Sequence, residues 1–156
     1  MITLKRKLTV AENVSTLSEP IYLYKGDGNI NIIIDLRRIL KRVFFDSDVF
    51  SSVCILKPSG EQLVLDTQVI QDNQVNILLT KDIMDEAIEL GVHRVIIHLL
   101  DSMGNRYTIP SFELVIEKPI CDMTEIVIPE VQTVLLDVNG NELIDKNGNT
   151  LIMKED

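Results

Sequence analysis

The sequence predicts an all-β protein, built as an antiparallel β-sandwich with one short helix. Apolar residues, mostly Ile, Leu and Val, alternate with polar ones in several short segments, as they do in strands with one buried face. Glycine, proline, asparagine and aspartate separate these segments roughly every ten residues, a spacing typical of sandwiches. At 156 residues, a chain can bury roughly 70% of its unfolded surface, so a core of this kind is feasible.

The pattern divides the chain into three parts. Residues 1–20 are predicted to form an N-terminal arm and linker, because residues 2–10 alternate only weakly and residues 11–20 are polar and end at Pro20. The weak alternation suits either a strand or an ordered arm. Residues 21–118 are predicted to form the sandwich, and residues 119–156 an acidic β-repeat segment that serves in assembly.

The first strongly alternating segment follows a turn at residues 25–28, KGDG. Its apolar residues share one face at period two, which predicts a core strand; they are Ile30, Ile32, Ile34 and Leu36. Residues 37–45 suit either a helical face or an irregular crossover. Residues 51–57 and 62–66 then predict a hairpin around Pro58-Ser59-Gly60.

A short helix is predicted between strands at residues 75–79 and 95–99. Thr80 is a plausible N-cap, since its hydroxyl can accept from a free amide of the first turn. The helix spans residues 81–90, and Gly91 lies where a left-handed C-cap is favourable. The side chains expected to face the sheet are Ile83, Ala87 and Leu90.

The last hairpin of the sandwich is predicted to turn at residues 103–105, Met-Gly-Asn. The returning strand is interrupted by Pro110, which cannot donate to a ladder, so an edge, a bulge or a change of partner is expected there. Beyond it the inward residues are Phe112, Leu114 and Ile116, with Glu113 and Glu117 facing outward.

The C-terminal part contains an internal repeat, in which DVNGNELI is followed at once by DKNGNTLI. Asn-Gly favours tight hairpin turns, which predicts a β-hairpin or meander. The Asp and Asn oxygens could instead bind calcium, although the spacing differs from that of an EF-hand loop. A lone meander of this size is marginal in water, so the tail is expected to pack against a copy of itself or another protein, or to continue stacking as a small β-prism. The candidate partner-contact residues here are Leu135, Leu136, Leu143, Ile144, Leu151 and Ile152.

Charge excludes several classes of partner. The net charge is −9, with 13 Lys/Arg against 16 Asp/Glu in residues 1–118 and 2 against 8 in residues 119–156. An acidic protein is a poor ligand for nucleic acid or an anionic membrane surface, and no apolar run is long enough to span a bilayer. The two cysteines have no metal-ligand spacing and are expected to be reduced thiols.

The sequence contains no recognisable catalytic, cofactor-binding or metal-binding motif. His93 and His98 are five residues apart on a predicted strand and therefore point to opposite faces, with His93 expected at the surface and His98 partly buried. Asp46 and Asp48 are a candidate carboxylate pair, but a solvated loop is the simpler interpretation. We therefore expect a protein that is not an enzyme and needs no cofactor.

One basic cluster stands out in this acidic chain. It consists of Arg37, Arg38, Lys41 and Arg42. Guanidinium groups can bind carboxylates in a bidentate geometry, so the cluster could contact an acidic surface of a partner, such as another subunit. The alternative is a solvated loop without a partner.

The order of these features resembles the N-terminal domain of phage baseplate upper proteins. The residues that carry the resemblance are Tyr24-Lys25-Gly26-Asp27 before an alternating strand, Leu56-Lys57-Pro58-Ser59-Gly60 as a hairpin turn, a short helix ending at Leu90-Gly91, the turn from Asp101 to Asn105, and Tyr107-Thr108-Ile109-Pro110 before Phe112. The resemblance covers roughly residues 21–118. It implies an immunoglobulin-like sandwich in a tail tip.

The resemblance also implies a function. Family members dock on the central baseplate ring, lead to receptor-binding proteins and are usually multimeric, often trimeric. We therefore expect a structural virion protein of the tail baseplate of a phage or phage-derived bacteriocin, made in the bacterial cytoplasm. Because this chain lacks the heptads of longer members, the receptor-proximal half is expected to be either missing or supplied by a separate chain that binds the acidic tail. The alternative is a non-catalytic carbohydrate-binding module, disfavoured by the absence of Trp.

Overall fold

A computed structural model describes residues 1–121, 132–134 and 152–154. The chain divides into two units, Met1–Cys121 and Asp122–Asp156. The first unit contains two sheets and little helix, which confirms the all-β, sandwich-like class.

Ten strands build the two sheets of the first unit. They are β1 (Ile2–Ala11), β2 (Val14–Leu17), β3 (Ile21–Tyr24), β4 (Ile30–Asp35), β5 (Phe50–Leu56), β6 (Gln62–Val64), β7 (Gln68–Val69), β8 (Gln74–Leu79), β9 (Gly91–Leu100) and β10 (Arg106–Glu117). One sheet has the order β2-β1-β4-β8, and the other has the order β3-β10-β9-β5-β6, with β7 also pairing with β5.

The core lies between the inward faces of these sheets. In β4 the predicted residues Ile30, Ile32 and Ile34 are all buried, and Leu36 directly after it is also buried. Each of the three isoleucines is opposite a buried residue of β8, namely Leu79, Ile77 and Val75. Period-two patterning therefore identified the core face correctly, because one register buries the alternating apolar set of each strand and leaves only Ile33 and Leu78 on the outer face.

The N-terminal segment is a correction to the sequence prediction. Of the two alternatives for residues 2–10, the strand is correct: β1 lies inside its sheet and pairs with β4 on one side and β2 on the other, so residues 1–20 do not form the predicted arm and linker. The strands β1 and β2 meet in a tight turn at Glu12 and Asn13, whose φ angles are +52° and +62°. Leu8 is fully buried. The pattern was weak because much of β1 is only partly covered.

Two of the ladders are parallel, which the sequence did not predict. They are β1 with β4 and β3 with β10, and both bring the first 24 residues against strands that follow much later. Arg6 holds the crossing between the sheets, because its guanidinium donates to the carbonyl oxygens of Glu19 at 3.1 Å and Pro20 at 3.3 Å. These backbone oxygens lie just before β3 begins.

Pro110 produces the predicted irregularity in β10. The register against β9 shifts between Ile109 and Phe112, as expected of a bulge at a residue without an amide hydrogen. The Pro110 carbonyl is freed for another partner and accepts from the Ser15 hydroxyl of β2. The bulge therefore connects the two sheets along one side of the sandwich.

The predicted helix over 81–90 is shorter than expected. It is a single π-helical turn, Ile83–Ala87, with the Thr80 hydroxyl accepting from the Ile83 amide at 3.3 Å. The residues that it buries are Met84 and Ile88. Of the expected inward residues, Ile83 is partly buried and packs against the core, Ala87 is half-buried, and Leu90 was predicted wrongly because it is exposed. Gly91 has a φ of +122° and begins β9 without capping a longer helix.

Lys25 holds this helical turn against the rest of the fold. Its ammonium donates to the carbonyl oxygens of Met84 at 2.7 Å, Asp85 at 3.3 Å and Ile88. Carbonyls at the end of a helical turn lack donors within it. The Lys25 ammonium supplies the hydrogen-bond donors that a longer helix would otherwise provide. Lys25 itself is fixed by its amide, which donates to the Glu117 carbonyl at 2.8 Å.

The second unit is described only at two short strands. They are β11 (Gln132–Val134) and β12 (Ile152–Lys154), which pair antiparallel with Val134 opposite Ile152. This pairing agrees with a β-rich tail. Residues 137–151 of the repeat at 137–152 lie outside the described residues, as does the side chain of Ile152. The same holds for the other predicted contact residues, Leu135, Leu136, Leu143, Ile144 and Leu151.

Candidate functional site

The basic cluster lies on and just after the short helix α1 (Arg37–Leu40). The helix forms because the Asp35 carboxylate accepts from the Arg37 amide at 2.9 Å and the Leu36 carbonyl accepts from the Ile39 and Leu40 amides. Leu36 and Ile39 are buried. The ambiguous segment is therefore one helical turn that buries its apolar side and displays its cations.

All four predicted basic residues are exposed. Two of them, Arg38 and Arg42, are four positions apart and line a groove of about 330 Å³. The other two, Arg37 and Lys41, lie outside the groove lining. Within residues 1–121, none of the four forms an ion pair. The structure therefore presents a cluster of positive charge that has no internal partner in the described part of an acidic chain.

The groove is bounded by three segments that are far apart in sequence. The lining residues are Thr9, Val10, Ala11, Arg38, Ile39, Arg42, Val43 and Tyr107. Its lining combines apolar side chains with the polar groups of Thr9, Arg38, Arg42 and Tyr107. Such a site can accept a carboxylate-bearing segment, because bidentate hydrogen bonds fix the charge while the apolar wall receives an adjoining side chain.

Tyr107 is a site residue that sequence reasoning missed. It is half-buried and packs against the core, and it comes from β10, 65 or more positions after the basic cluster. Its only sequence signal was membership of the Tyr-Thr-Ile-Pro segment. The side chain reaches the groove because β10 is aligned by its pairing with β9, where Tyr107 is opposite Leu99.

The two histidines do not form a joint site. They point to opposite faces of β9 as predicted, but the burial of His93 was predicted wrongly: its side chain is fully buried. Its Nδ1 lies 3.3 Å from the Gly91 carbonyl, and its Nε2 has no partner among the described residues. His98 Nδ1 lies 2.8 Å from the Thr108 hydroxyl oxygen.

The acidic candidates are separate from the groove. Asp46 and Asp48 are exposed in a loop, and residues 1–121 contain no group of three or more His, Cys, Asp or Glu that could hold a metal ion. Glu89 accepts from the Ser59 hydroxyl at 2.7 Å and from the Ser59 amide at 3.2 Å. These hydrogen bonds lower the pKa of Glu89 and connect the hairpin turn to the end of the helical segment.

A pH prediction follows from His93. Burial lowers its pKa below the ordinary 6.5, against the opposing effect of the Gly91 and Leu114 backbone. Near pH 6.5 the imidazole therefore binds a proton in the unfolded state but stays neutral in the folded state. The contribution of this imidazole to the free energy of unfolding is largest above pH 6.5. We expect the free energy of unfolding to fall as the pH drops from 6.5 towards 5. Urea unfolding across that range measures it.

The His93→Gln variant is the control for that prediction. Glutamine does not titrate, so the variant should lose the decline below pH 6.5 even if it is less stable throughout. The lowered carboxyl pKa values of Glu89 and Asp101 act only at lower pH, around and below 4.5. An unchanged slope between pH 6.5 and 5 in His93→Gln would contradict the assignment to this imidazole.

Comparison with known proteins adds no relative to this description. No protein-family model matches the chain, and no curated protein matches it. In the part of the chain that the structure describes, no helix has the length and apolar character needed to cross a membrane. The function is therefore inferred from the residues and their geometry.

Proposed function

We propose that the chain is a structural protein of a tail baseplate, in a phage or a phage-derived bacteriocin. It docks on the baseplate core through the basic groove and connects that core to receptor-binding components. The observation that carries the proposal is the cluster of four exposed cations, without an ion pair in residues 1–121, of which Arg38 and Arg42 line a groove on an otherwise acidic protein. A site of this composition fits an acidic protein surface.

The residues behind the family resemblance support the scaffold part of the proposal. Lys25 binds the carbonyls of the helical turn, Gly26 has a φ of +102° that side-chain-bearing residues rarely adopt, and Asp27 accepts from the Tyr24 amide at 2.9 Å. Asp101 accepts from the Met103 and Asn105 amides of its turn. A motif built of such residues specifies a shape, which is what a docking module needs.

The proposed role requires only binding. A two-sheet sandwich with strands from both ends of Met1–Cys121 resists load, because separating the ends breaks the β1–β4 and β3–β10 ladders along their whole length. The proposed partners are the central ring, a receptor-binding protein and further copies of the chain. The proposed location is the tail tip of the particle.

Charge reversal in the groove is expected to weaken docking. Arg38→Glu with Arg42→Glu removes two guanidinium contacts and places two carboxylates against an acidic partner. We expect the dissociation constant for the baseplate ring to rise at least about tenfold, and the wild-type affinity to fall with added salt. Co-sedimentation of the full chain with purified ring components measures both.

The matched control is Lys5→Glu with Lys7→Glu, which changes the net charge equally on exposed residues of β1. It should leave binding nearly unchanged. If the two double variants bind equally well, the groove is not the docking site. If the wild-type chain binds no ring component at micromolar concentration, the proposed function itself is wrong.

A further inference from the structure

His93 is a buried titratable group that the docking proposal does not use. Its side chain has no exposed surface, and it lies opposite Leu114 of β10, another buried residue. Its Nε2 has no hydrogen-bond partner within residues 1–121. A buried ring nitrogen without a partner is unfavourable when the ring is neutral and more unfavourable when the ring is charged. Protonation therefore favours a conformation in which water reaches the imidazole.

The hairpin turn at residues 57–61 lies beside His93. In the antiparallel ladder between β5 and β9, Leu56 is opposite Arg94. Continuing this register by one residue places Lys57, the first residue of the turn, next to His93. The turn is closed by the Lys57 amide, which donates to the Glu61 carbonyl at 2.9 Å, and by the Gly60 amide, which donates to the Lys57 carbonyl at 2.9 Å. The turn is therefore an ordered loop that adjoins the buried ring.

Few contacts hold this turn against the start of β9. The Ser59 hydroxyl and amide donate to the Glu89 carboxylate at 2.7 Å and 3.2 Å, and both hydrogen bonds are exposed. Pro58 packs on Gly91, since a Cβ atom added to that glycine would lie 3.0 Å from the proline Cγ. The strand that follows the turn, β6, has three residues and lies at the edge of its sheet. Segments with so few buried contacts open locally at a lower free energy than the whole fold.

The turn also places a second cation near the imidazole. The Lys57 side chain is only 12% exposed, and its Nζ lies 3.4 Å from the carboxylate of Glu61 in the same turn. Burial lowers the pKa of His93 most; of the charged groups near the ring, Glu89 raises that pKa and Lys57 lowers it, while β10 contributes the uncharged Leu114. A protonated His93 would share a poorly hydrated space with the Lys57 ammonium, and like charges repel strongly there.

We propose that the turn at residues 57–61 is a pH-sensitive latch, which stays closed against β9 while His93 is neutral and is released when that imidazole binds a proton. Release lets water hydrate the ring and separates it from Lys57. Release also breaks the hydrogen bonds between Ser59 and Glu89, so the Glu89 carboxylate becomes free to attract the imidazolium. The inference concerns the sandwich alone and holds whether or not the chain belongs to a baseplate.

The linkage between opening and proton binding sets the size of the effect. With the turn open, the His93 imidazole titrates near its ordinary pKa of 6.5, whereas with the turn closed its pKa is lower. Below pH 6.5 the equilibrium constant for opening therefore rises about tenfold for each pH unit, until the closed state also binds the proton. Between pH 7.5 and pH 5.5 we expect the population of the open turn to increase about tenfold.

Amide hydrogen exchange of the full chain at pH 7.5 and pH 5.5, corrected for the intrinsic pH dependence of exchange, tests the latch. The amides of Lys57, Ser59 and Gly60 are bonded in the closed turn, and their protection should fall about tenfold at the lower pH. The internal reference is the turn at residues 101–105, at the other end of β9. Its amides are likewise held by a carboxylate, that of Asp101, and it should keep its protection.

Two variants separate the contributions of the ring and of its neighbour. In His93→Gln the side chain does not titrate, so protection of the turn should be the same at both pH values. Lys57→Met removes the cation beside the ring, so NMR titration of the His93 imidazole should give a higher pKa than in the wild type. The matched control is Lys5→Met, at an exposed lysine of the other sheet, which should leave that pKa unchanged.

Three results would overturn the latch. The first is a wild-type turn that keeps its full protection at pH 5.5. The second is a parallel loss of protection in the amides of β4, because the proton would then be bound only on global unfolding. The third is a pH response in His93→Gln equal to that of the wild type, since another group would then control the turn.

Discussion

Replacing Lys25 by methionine is expected to lower the free energy of unfolding by about 3 kcal/mol. Methionine keeps much of the length and apolar stem of lysine but removes the ammonium. Three backbone oxygens, those of Met84, Asp85 and Ile88, then lose their donor. Each oxygen loses a charge-assisted hydrogen bond, and those of Met84 and Ile88 are partly buried, so the helical turn should detach from the turn at residues 25–28.

Urea unfolding followed by circular dichroism measures the change. Lys5→Met is the matched control, since Lys5 is exposed and its ammonium makes no hydrogen bond within the described residues; it should shift the free energy by less than about 0.5 kcal/mol. Hydrogen exchange should localise the Lys25→Met effect to the amides of the turn, including Met84 and Ile88. Equal stability of the two variants would contradict the role of Lys25.

Replacing Ile32 by alanine is expected to have a similar or larger effect, about 3 to 4 kcal/mol. Ile32 is 1% exposed and is opposite buried Ile77 on the central part of the four-stranded sheet. The substitution removes apolar contacts and leaves a cavity that neighbouring strands, held by ladders on both sides, cannot close. Since domains have only about 5 to 15 kcal/mol of stability, this is a large fraction.

Ile33→Ala is the control for Ile32→Ala, because the adjacent residue has the same side chain on the opposite face. Ile33 is half-buried, so its truncation should lower stability by less than about 1 kcal/mol. Chemical unfolding of both variants under one set of conditions gives the comparison. A larger loss for Ile33→Ala would mean that β4 has the opposite register.

Strands with one well-covered face could be predicted from the sequence, because burial imposes a period of two that is visible locally. The residues of β4, β8 and the inner face of β9 are the best examples. The bulge at Pro110 could also be predicted, because proline has no amide hydrogen to donate to the ladder.

The features that could not be predicted depend on distant parts of the chain. Strand β1 lies within a sheet because β4 pairs with it in parallel, and nothing within residues 2–10 indicates a partner 28 positions away. His93 is buried because β10 and the hairpin turn cover it, although its neighbours in sequence are polar or exposed. The helix was predicted too long because the backbone at Ile88 is already extended, so the helical turn ends at Ala87.

The candidate site was half predictable. The four cations are adjacent in sequence, so their clustering needs no tertiary information. The groove beside them could not be predicted without tertiary information, because it forms only where the end of β1 and Tyr107 of β10 meet α1.

Immunogold electron microscopy of tailed particles tests the central claim most directly. The particles are purified from the bacterium that produces this chain and labelled with an antibody raised against residues 1–121. We predict that the gold label lies at the tail tip, which in a phage is the end distal to the capsid. The number of gold particles should be the same from one tailed particle to the next. Particles without label, with all of the chain recovered in the unassembled fraction of the lysate, would contradict the assignment to the baseplate.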